Sequence, residues 1–410
     1  MLSRRQVVTG VVGVAAGSAV AGCTNAAGAN PAARWAEPGS SIGPTPSRPP
    51  ATVTFAPAAA ATGVVPGQPV VVTADAGTLQ SVTVTAGKTT LAGALDTDQR
   101  TWRSTGDLAY GQTYTITAVL ADPSGTTAQQ TSTFTTLKPG STAGVTFQAN
   151  APNALKNGGT YGVGQFPIIH FSRSVNDRAA AEKAVVVETS PPVEGKFFWL
   201  DRQTLHWRPE KYFASGSRIS VTVKALGVNL GNNVYGAGNS STSYTIGPSR
   251  IMIVDSQTHQ ATVYQDGQVI RTMPCSTGKN ATTKAADGHT VNYNTNSGPH
   301  VVLEKVQTVT MSSASYGIID PKDPNYYKED VQLCTRISYS GEYCHAAPWN
   351  GQIGRANISH GCVNLHTADA QWVFDTFQVG DIVDVRGTPV TLSIGNGLGD
   401  WAVPWGQYGS

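Results

Sequence analysis

The chain has 410 residues, of which 13% are charged, and its formal net charge is +2. Its length predicts several globular units, and we expect three domains. The basic residues after residue 5 are scattered and form no Lys/Arg cluster with interleaved aromatics, so we expect no nucleic-acid partner. Abundant Gly, Ser, Thr and Val favour β-rich modules outside the cytoplasm over a helical cytosolic enzyme.

The N-terminus, residues 1–22, predicts an export signal. Arg4-Arg5 precedes an apolar stretch, residues 7–21, that is shorter than the roughly 20 residues of a membrane-spanning helix. Val20-Ala21-Gly22 before Cys23 resembles a bacterial lipobox, which predicts a lipid on Cys23. A plain secretory signal is the alternative, and both Sec and twin-arginine export stay open. The lipid would anchor the protein on the outer face of the plasma membrane, facing the cell wall.

Three segments follow the signal. Residues 23–50 are rich in Ala, Gly, Asn and Pro and predict a disordered tether. Residues 51–138 and 144–248 both alternate in short β-type runs separated by Gly, Asp and Pro, which predicts two tandem immunoglobulin-like β-sandwiches. His170 and His206 lie inside apolar strand patterns, so we interpret them as ordinary sandwich residues.

Residues 249–386 predict a β-rich catalytic domain. The domain opens with a β-hairpin pattern, and apolar residues recur at helical spacing in residues 367–377. We therefore expect one short helix late in the domain. Residues 387–410 form a Trp-rich C-terminal extension, which is more often a docking segment than a binding site.

The candidate chemistry lies between His345 and Asn364. A cysteine nucleophile reacts as a thiolate, and nearby His and backbone N–H groups predict a lowered pKa for Cys362. His345 is the candidate base, returned to the cysteine by a Gly-rich loop. The N–H groups of His360, Gly361 and Cys362 are candidate oxyanion donors.

The ordered string of His345 followed by Ser359-His360-Gly361-Cys362-Val363-Asn364 resembles the signature of the L,D-transpeptidase catalytic domain of the YkuD type. The overall layout resembles large actinobacterial lipoprotein L,D-transpeptidases with two immunoglobulin-like domains. This resemblance implies an enzyme that forms 3→3 cross-links in peptidoglycan. Cys362 would attack a tetrapeptide donor stem and release D-alanine, leaving a thioester, with His345 as the base.

The resemblance also implies supporting roles. The family often has Ser after the base histidine, where this chain has Ala346, but a backbone carbonyl that orients the imidazole survives the change. Residues 311–317 and 325–327 resemble the family's active-site lid. Tyr316 and Tyr327 match the lid's tyrosines, although Tyr326 could replace Tyr327. The catalytic set is Cys362, His345, Gly361, His360 and Ser359, and the substrate-binding set is Tyr316, Tyr327, Met311, Trp349 and Asn364.

Partners and alternatives complete the expectations. No His-x-Glu-x-x-His or paired Cys-x-x-Cys spacing occurs, so we expect no metal and no other cofactor. Partners would be peptidoglycan stem peptides, carbapenem-class β-lactams as covalent inhibitors, and the membrane through the lipid. An L,D-carboxypeptidase and a non-catalytic wall-binding lipoprotein are the alternatives. Disulfide pairing among Cys275, Cys334 and Cys344 stays open.

Overall fold

The computed structural model describes residues 51–409. The predicted export signal (residues 1–22), Cys23 and the predicted tether (residues 23–50) lie outside that range. They therefore remain predictions. Within the described range, no helix is long and apolar enough to span a membrane.

The first sandwich is built from strands that alternate buried and exposed side chains, with sheet orders β1-β2-β6-β5 and β4-β3-β7-β8. Its apolar faces enclose one core, in which Val72, Ile116 and Leu120 are fully buried. The strands are β1 (Thr52–Ala56), β2 (Val71–Ala76), β3 (Thr78–Ala86), β4 (Thr89–Thr90), β5 (Gly93–Leu95), β6 (Thr101–Ser104), β7 (Thr113–Ala121) and β8 (Thr127–Thr135).

The second sandwich pairs sheets of order β11-β10-β13-β16-β15 and β12-β19-β17-β14, with β9 and β18 forming a small parallel ribbon. Helix α1 (Arg178–Ala184) begins after Asp177, whose side chain accepts the N–H of Ala180 and caps the helix. The strands are β9 (Ser141–Ala143), β10 (Val145–Asn150), β11 (Asn153–Ala154), β12 (Gly159–Tyr161), β13 (Ile168–Phe171), β14 (Val185–Ser190), β15 (Gly195–Trp199), β16 (Thr204–Pro209), β17 (Arg218–Lys224), β18 (Val234–Gly236) and β19 (Asn239–Ile246).

The catalytic domain contains one nine-stranded sheet of order β25-β30-β20-β21-β22-β29-β28-β27-β26 and the hairpin β23-β24. Helix α2 (Thr367–Thr376) buries Ala370 and Val373 against this sheet, and the predicted short helix is confirmed. The strands are β20 (Arg250–Asp255), β21 (Gln260–Gln265), β22 (Gln268–Ser276), β23 (Thr282–Lys284), β24 (Thr290–Asn292), β25 (Gly298–Val301), β26 (Glu304–Ser312), β27 (Lys328–Arg336), β28 (Tyr343–Ala346), β29 (Val363–Leu365) and β30 (Ile382–Arg386).

The second sandwich and the catalytic domain share an interface made partly of backbone. Gly162 N–H donates to Val379 O at 2.9 Å, and Gly164 N–H donates to Gly380 O at 2.8 Å. A Cβ on Gly162 would overlap the backbone of Gly380 and of Asp381, so the close approach requires glycine. Apolar side chains of the catalytic domain also join the core of the second sandwich. The two domains therefore pack as one body.

The C-terminal segment packs on the second sandwich, as expected of a docking segment. It surrounds the buried guanidinium of Arg208 with three aromatic rings, and it brings Asp400 Oδ1 to 2.9 Å from His206 Nδ1. His206 therefore joins two parts of the chain as well as filling its sandwich. From the Arg208 Cζ, the ring centroids lie 4.9 Å (Trp401), 5.3 Å (Trp405) and 4.1 Å (Tyr408) away.

The predicted fold class is confirmed: the chain is mainly β, with immunoglobulin-like sandwiches followed by a β-rich catalytic domain with a short helix.

Candidate active site

Cys362 and His345 are brought together by two neighbouring parallel strands. His345 lies in β28 and pairs with Asn364 of β29, while Cys362 immediately precedes β29. Both residues line a cavity of about 250 Å³. Cys362 also lines a second cavity of about 650 Å³. The nucleophile candidate therefore stands where two cavities meet.

Two hydrogen bonds of the Ser359 hydroxyl shape the loop before Cys362. Ser359 Oγ donates to Cys362 O at 2.6 Å and accepts the N–H of Gly361 at 3.1 Å. Gly361 has φ +126°, a conformation that favours glycine. Thr295 Oγ1 donates to Gly361 O at 2.8 Å from the other side. In this resting site the Gly361 N–H donates to Ser359 Oγ, and its role as an oxyanion donor stays a prediction.

His345 is held at both ring nitrogens. Its Nδ1 donates to Ala346 O at 2.8 Å, which confirms that a backbone carbonyl orients the imidazole despite the absence of Ser. Its Nε2 accepts from Asn364 Nδ2 at 2.9 Å. The Cys362 thiol donates instead to Gly341 O at 3.7 Å. In the described part of the chain, no hydrogen bond joins the thiol to His345, so the expected pair shares a cavity without direct contact.

Both reactive groups are neutral near pH 7. Burial raises the pKa of Cys362 to about 12, partly opposed by the N–H of Tyr343 and reinforced by the charge of Glu342. Burial lowers the pKa of His345 to about 4, partly offset by its bond to Ala346. The predicted low-pKa thiolate is therefore wrong for this arrangement. The packing that removes water from the thiol outweighs the backbone N–H group that would stabilise its charge.

His360 lies beside the nucleophile in an aromatic cluster. Its ring centroid is 4.8 Å from that of Tyr293 and 4.9 Å from that of Tyr327. Lys279 Nζ lies 3.4 Å from His360 Nε2 and donates to Asn325 Oδ1 at 3.3 Å. Burial, and then the charge of Lys279, lower the pKa of His360 to about 4. Lys279 has no signature in the local sequence, since it belongs to a segment distant from the motif.

The lid contributes the predicted tyrosines. The rings of Tyr316 and Tyr327 are 6.2 Å apart, and both residues line the larger cavity. Both cavities are lined by Tyr327 and not by Tyr326, which favours Tyr327 as the cavity tyrosine. Met311 lines both cavities. Burial raises the pKa of Tyr316 and of Tyr327, so both hydroxyls are neutral donors.

Trp349 walls the smaller cavity. Its ring centroid lies 6.1 Å from that of His345, and 53% of the residue is exposed. A large exposed aromatic beside a candidate base is available to contact a ligand. The structure therefore places Trp349 at the cavity of the candidate base, and its contact with substrate stays a prediction.

The sequence did not predict the buried carboxylate that lines the larger cavity. Glu342 accepts the N–H of Asn296 at 2.6 Å, and its Oε2 lies 3.4 Å from His300 Nε2. Burial alone would raise the pKa of Glu342, but the hydrogen bond and charge of His300, together with the Asn296 N–H, lower it overall. The cavity floor therefore carries a negative charge beside Cys362. The preceding residues Ser340 and Gly341 resemble a turn, so the carboxylate had no distinguishing pattern.

The four cysteines in the described range are all free thiols. Cys344 pairs with Thr335 across β27 and β28, so the adjacent Cys334 points to the opposite face of the sheet. Cys275 and Cys344 face the same core but are separated by the intervening strand β29. None of the three pairings left open among Cys275, Cys334 and Cys344 is formed within residues 51–409.

The chain is similar to known proteins. Residues 249–385 match the L,D-transpeptidase catalytic domain family, YkuD. The chain is 37% identical over 358 residues to L,D-transpeptidase 2 of Mycobacterium tuberculosis (strain CDC 1551 / Oshkosh), covering 85% of this chain and 81% of that protein. The chain belongs to the L,D-transpeptidase family.

Two further similarities accompany this membership. L,D-transpeptidase 5 of Mycobacterium tuberculosis (strain ATCC 25618 / H37Rv) is 34% identical over 364 residues, covering 87% of this chain and 76% of that protein. The crystal structure of L,D-transpeptidase 3 from Mycobacterium tuberculosis in complex with a faropenem-derived adduct is 29% identical, covers 59% of this chain and 98% of that chain, and has a TM-score of 0.46. Residues 61–229 match a bacterial Ig domain family. The catalytic match of this L,D-transpeptidase contains every site residue described above.

Proposed function

We propose that the protein forms 3→3 cross-links in peptidoglycan through a thioester on Cys362. The observation that carries this proposal is the position of Cys362 between two cavities. A transpeptidase must admit an acyl donor and then an amine acceptor to the same sulfur, and two approaches to one thiol meet that need. Tyr316 and Tyr327 lie over the larger approach, where they limit access of water to the thioester.

The chemistry balances through one base. His345 Nε2 takes the thiol proton as Cys362 Sγ bonds to the carbonyl carbon of the donor stem. The C–N bond to the terminal D-alanine breaks, and the leaving amine takes the proton back. The acceptor amine then attacks the thioester, gives a proton to His345, and returns the sulfur as a thiol. Because Asn364 occupies Nε2 in the resting site, substrate binding must displace that hydrogen bond first.

Purified muropeptides test the reaction. Incubating the protein with disaccharide tetrapeptide should yield a cross-linked dimer and free D-alanine, resolved by liquid chromatography and mass spectrometry. Cys362→Ala should yield neither, while Cys275→Ala, which removes a thiol on the opposite face of the sheet, should retain the reaction. Tripeptide without dimer would indicate an L,D-carboxypeptidase. Unchanged tetrapeptide would favour a wall-binding lipoprotein.

Carbapenem-class β-lactams are the covalent inhibitors that this site predicts. The Cys362 sulfur would bond to the lactam carbonyl carbon while the ring C–N bond breaks, so the whole inhibitor mass is added. Intact-protein mass spectrometry should show one adduct on the wild type and none on Cys362→Ala. An adduct that persists in Cys362→Ala would argue against Cys362 as the nucleophile.

We also propose that the protein is a lipoprotein on the outer face of the plasma membrane, anchored by Cys23. The support is the lipobox-like sequence before Cys23. Metabolic labelling with a fatty-acid analogue should mark the wild type but not Cys23→Ser, and Cys23→Ser should leave the membrane fraction. Equal labelling of both proteins would contradict the anchor.

A further inference from the structure

Four hydrogen bonds in series, the amide relay, lie behind the base. Gln352 N–H donates to Asn350 Oδ1 at 2.9 Å, and Asn350 Nδ2 donates to Asn364 Oδ1 at 3.0 Å. Asn364 Nδ2 then donates to His345 Nε2 at 2.9 Å, and His345 Nδ1 donates to Ala346 O at 2.8 Å. The three side chains are buried, with exposures of 5% or less. Each polar group that the relay contains is therefore satisfied within the protein.

The two ends of the relay fix the direction of every bond in it. The N–H of Gln352 can only donate, and the carbonyl of Ala346 can only accept. Since each amide offers one acceptor oxygen and one donor nitrogen, reversing Asn350 or Asn364 alone would set two donors or two acceptors against each other. The only consistent arrangement leaves His345 neutral, with its proton on Nδ1 and its lone pair on Nε2.

We propose that Asn350 is a positioning residue that acts through Asn364 to hold His345 as the neutral Nδ1–H tautomer. That tautomer is the one that accepts a thiol proton at Nε2. The inference deepens the proposed function and rests on its assignment of His345 as the base. The local sequence does not predict this role. Asn350 follows Trp349 in a loop, and it contacts Asn364 only because β29 pairs with β28.

Replacing Asn350 with Asp reverses the relay while nearly preserving its shape. Both oxygens of the introduced carboxylate would accept, one from the Gln352 N–H and the other from Asn364 Nδ2. Asn364 would then turn its oxygen toward His345 Nε2, which must carry a hydrogen to meet it. Because Nδ1 still donates to Ala346, this arrangement stabilises the imidazolium relative to the neutral ring. The pKa of His345 should rise from its present value of about 4.

Other titratable groups face His345 but none belongs to the relay. Four of them line the same cavity, from the lid, β27, and the loop before β29. A fifth, the Cys334 thiol, lies on the neighbouring strand β27. The cavity groups are Tyr327, Glu329, His360 and Cys362. All five groups are unchanged in Asn350→Asp, so a change in the pKa of His345 reflects the change in the relay.

Histidine-labelled NMR of the mature chain tests the proposal directly. We expect the pKa of His345 to rise by about one unit or more in Asn350→Asp. Gln352→Glu is the matched control, because its exposed side chain adds the same charge nearby and leaves the relay's backbone N–H intact. Asn350→Leu should fall between wild type and Asn350→Asp, since it frees Asn364 without reversing it. Equal shifts in Asn350→Asp and Gln352→Glu, or in Asn350→Asp and Asn350→Leu, would overturn the relay.

Acylation by a carbapenem provides the kinetic readout. In Asn350→Asp a rise of about one unit in the pKa of His345 should lower the acylation rate about twofold at pH 5, and a larger rise should lower it further. The rate should recover toward wild type at pH 8, where His345 loses its added proton. A purely structural defect would lower the rate equally at both pH values and would contradict the proposal. The NMR titration needs no turnover, so a wild type that makes no cross-links would refute the proposed function and leave the relay measurable.

Discussion

The catalytic sheet buries polar side chains at both of its ends, but by opposite means. At the active-site end, Cys362 and His345 are neutral and are bonded to backbone carbonyls and amides. At the end that meets the second sandwich, Asp381 faces Arg250, with Oδ2 and Nη1 3.6 Å apart. Burial of a polar group is tolerated when the group is neutral or paired. Neutral groups can exchange a proton during a reaction, whereas the interface end pairs a buried carboxyl group with a guanidinium.

The largest loss of stability is expected from a substitution at the interface between the second sandwich and the catalytic domain. Gly162→Val places carbon atoms where the backbone of Asp381 lies, so the domains must separate or distort. We expect the free energy of unfolding to fall by about 3 kcal/mol or more, measured by urea denaturation. Gly144→Ala is the control, since its nearest neighbour to an added Cβ is Ser172 Oγ at 3.8 Å. Similar losses in both variants would show that the close approach at Gly162 is not what joins the domains.

Next in size is the reactivity of the thiol at the active-site end. With the pKa of Cys362 raised to about 12, iodoacetamide should alkylate it at pH 9 about a hundredfold more slowly than free cysteine, and the rate should keep rising above pH 10. Peptide mapping by mass spectrometry follows the modification. The urea-unfolded protein should regain the rate of free cysteine. A rate that levels off near pH 8 would mean that the resting site holds a thiolate.

A smaller effect appears in the pH dependence of stability at the interface end. Burial raises the pKa of Asp381 to about 7, partly opposed by its bond to the Gln378 N–H and by the charge of Arg250. Because the folded pKa lies above the unfolded one, this contribution to stability is complete below about pH 4 and is lost as pH rises through about 7.

Wild type should therefore lose about 2 kcal/mol of unfolding free energy between pH 5 and pH 8 that Asp381→Asn keeps. Urea denaturation at both pH values measures the difference. Asp384→Asn, which removes a carboxylate paired with Arg386 on the same sheet, should behave like wild type. A parallel fall with pH in wild type and Asp381→Asn would assign the pH dependence to another group.

The two ends also differ in how much of them the sequence predicts. Ser359, Gly361, Cys362 and Asn364 are contiguous in a motif, and their strand β29 pairs with the strand of His345, so the site's centre follows from local pattern. The low thiol pKa failed as a prediction because burial depends on packing from several segments.

Residues that act across long separations left no local pattern. Lys279 reaches His360 from another loop, and Glu342 accepts from Asn296. His206 meets a partner 194 residues away. Alternating polarity predicted the sandwiches, because successive side chains of a strand point to opposite faces of the sheet. A buried face can therefore be recognised from the sequence of that strand alone. A contact between residues of different domains produces no such periodic pattern in the sequence.

The smallest loss of stability is expected at the C-terminal segment. Tyr408 OH donates to Asp400 Oδ1 at 2.8 Å, and His206 Nδ1 contacts the same carboxylate oxygen. Tyr408→Phe keeps the ring over Arg208 and removes only this donor, so we expect a loss of about 1 kcal/mol in the free energy of unfolding. Tyr264→Phe is the control, because the Tyr264 hydroxyl makes no hydrogen bond within residues 51–409. If both variants unfold alike, the carboxylate is held by His206 alone. A loss confined to Tyr408→Phe, with acylation of Cys362 unchanged, would show that the hydrogen bond to Asp400 stabilises the fold and takes no part in proton transfer at Cys362.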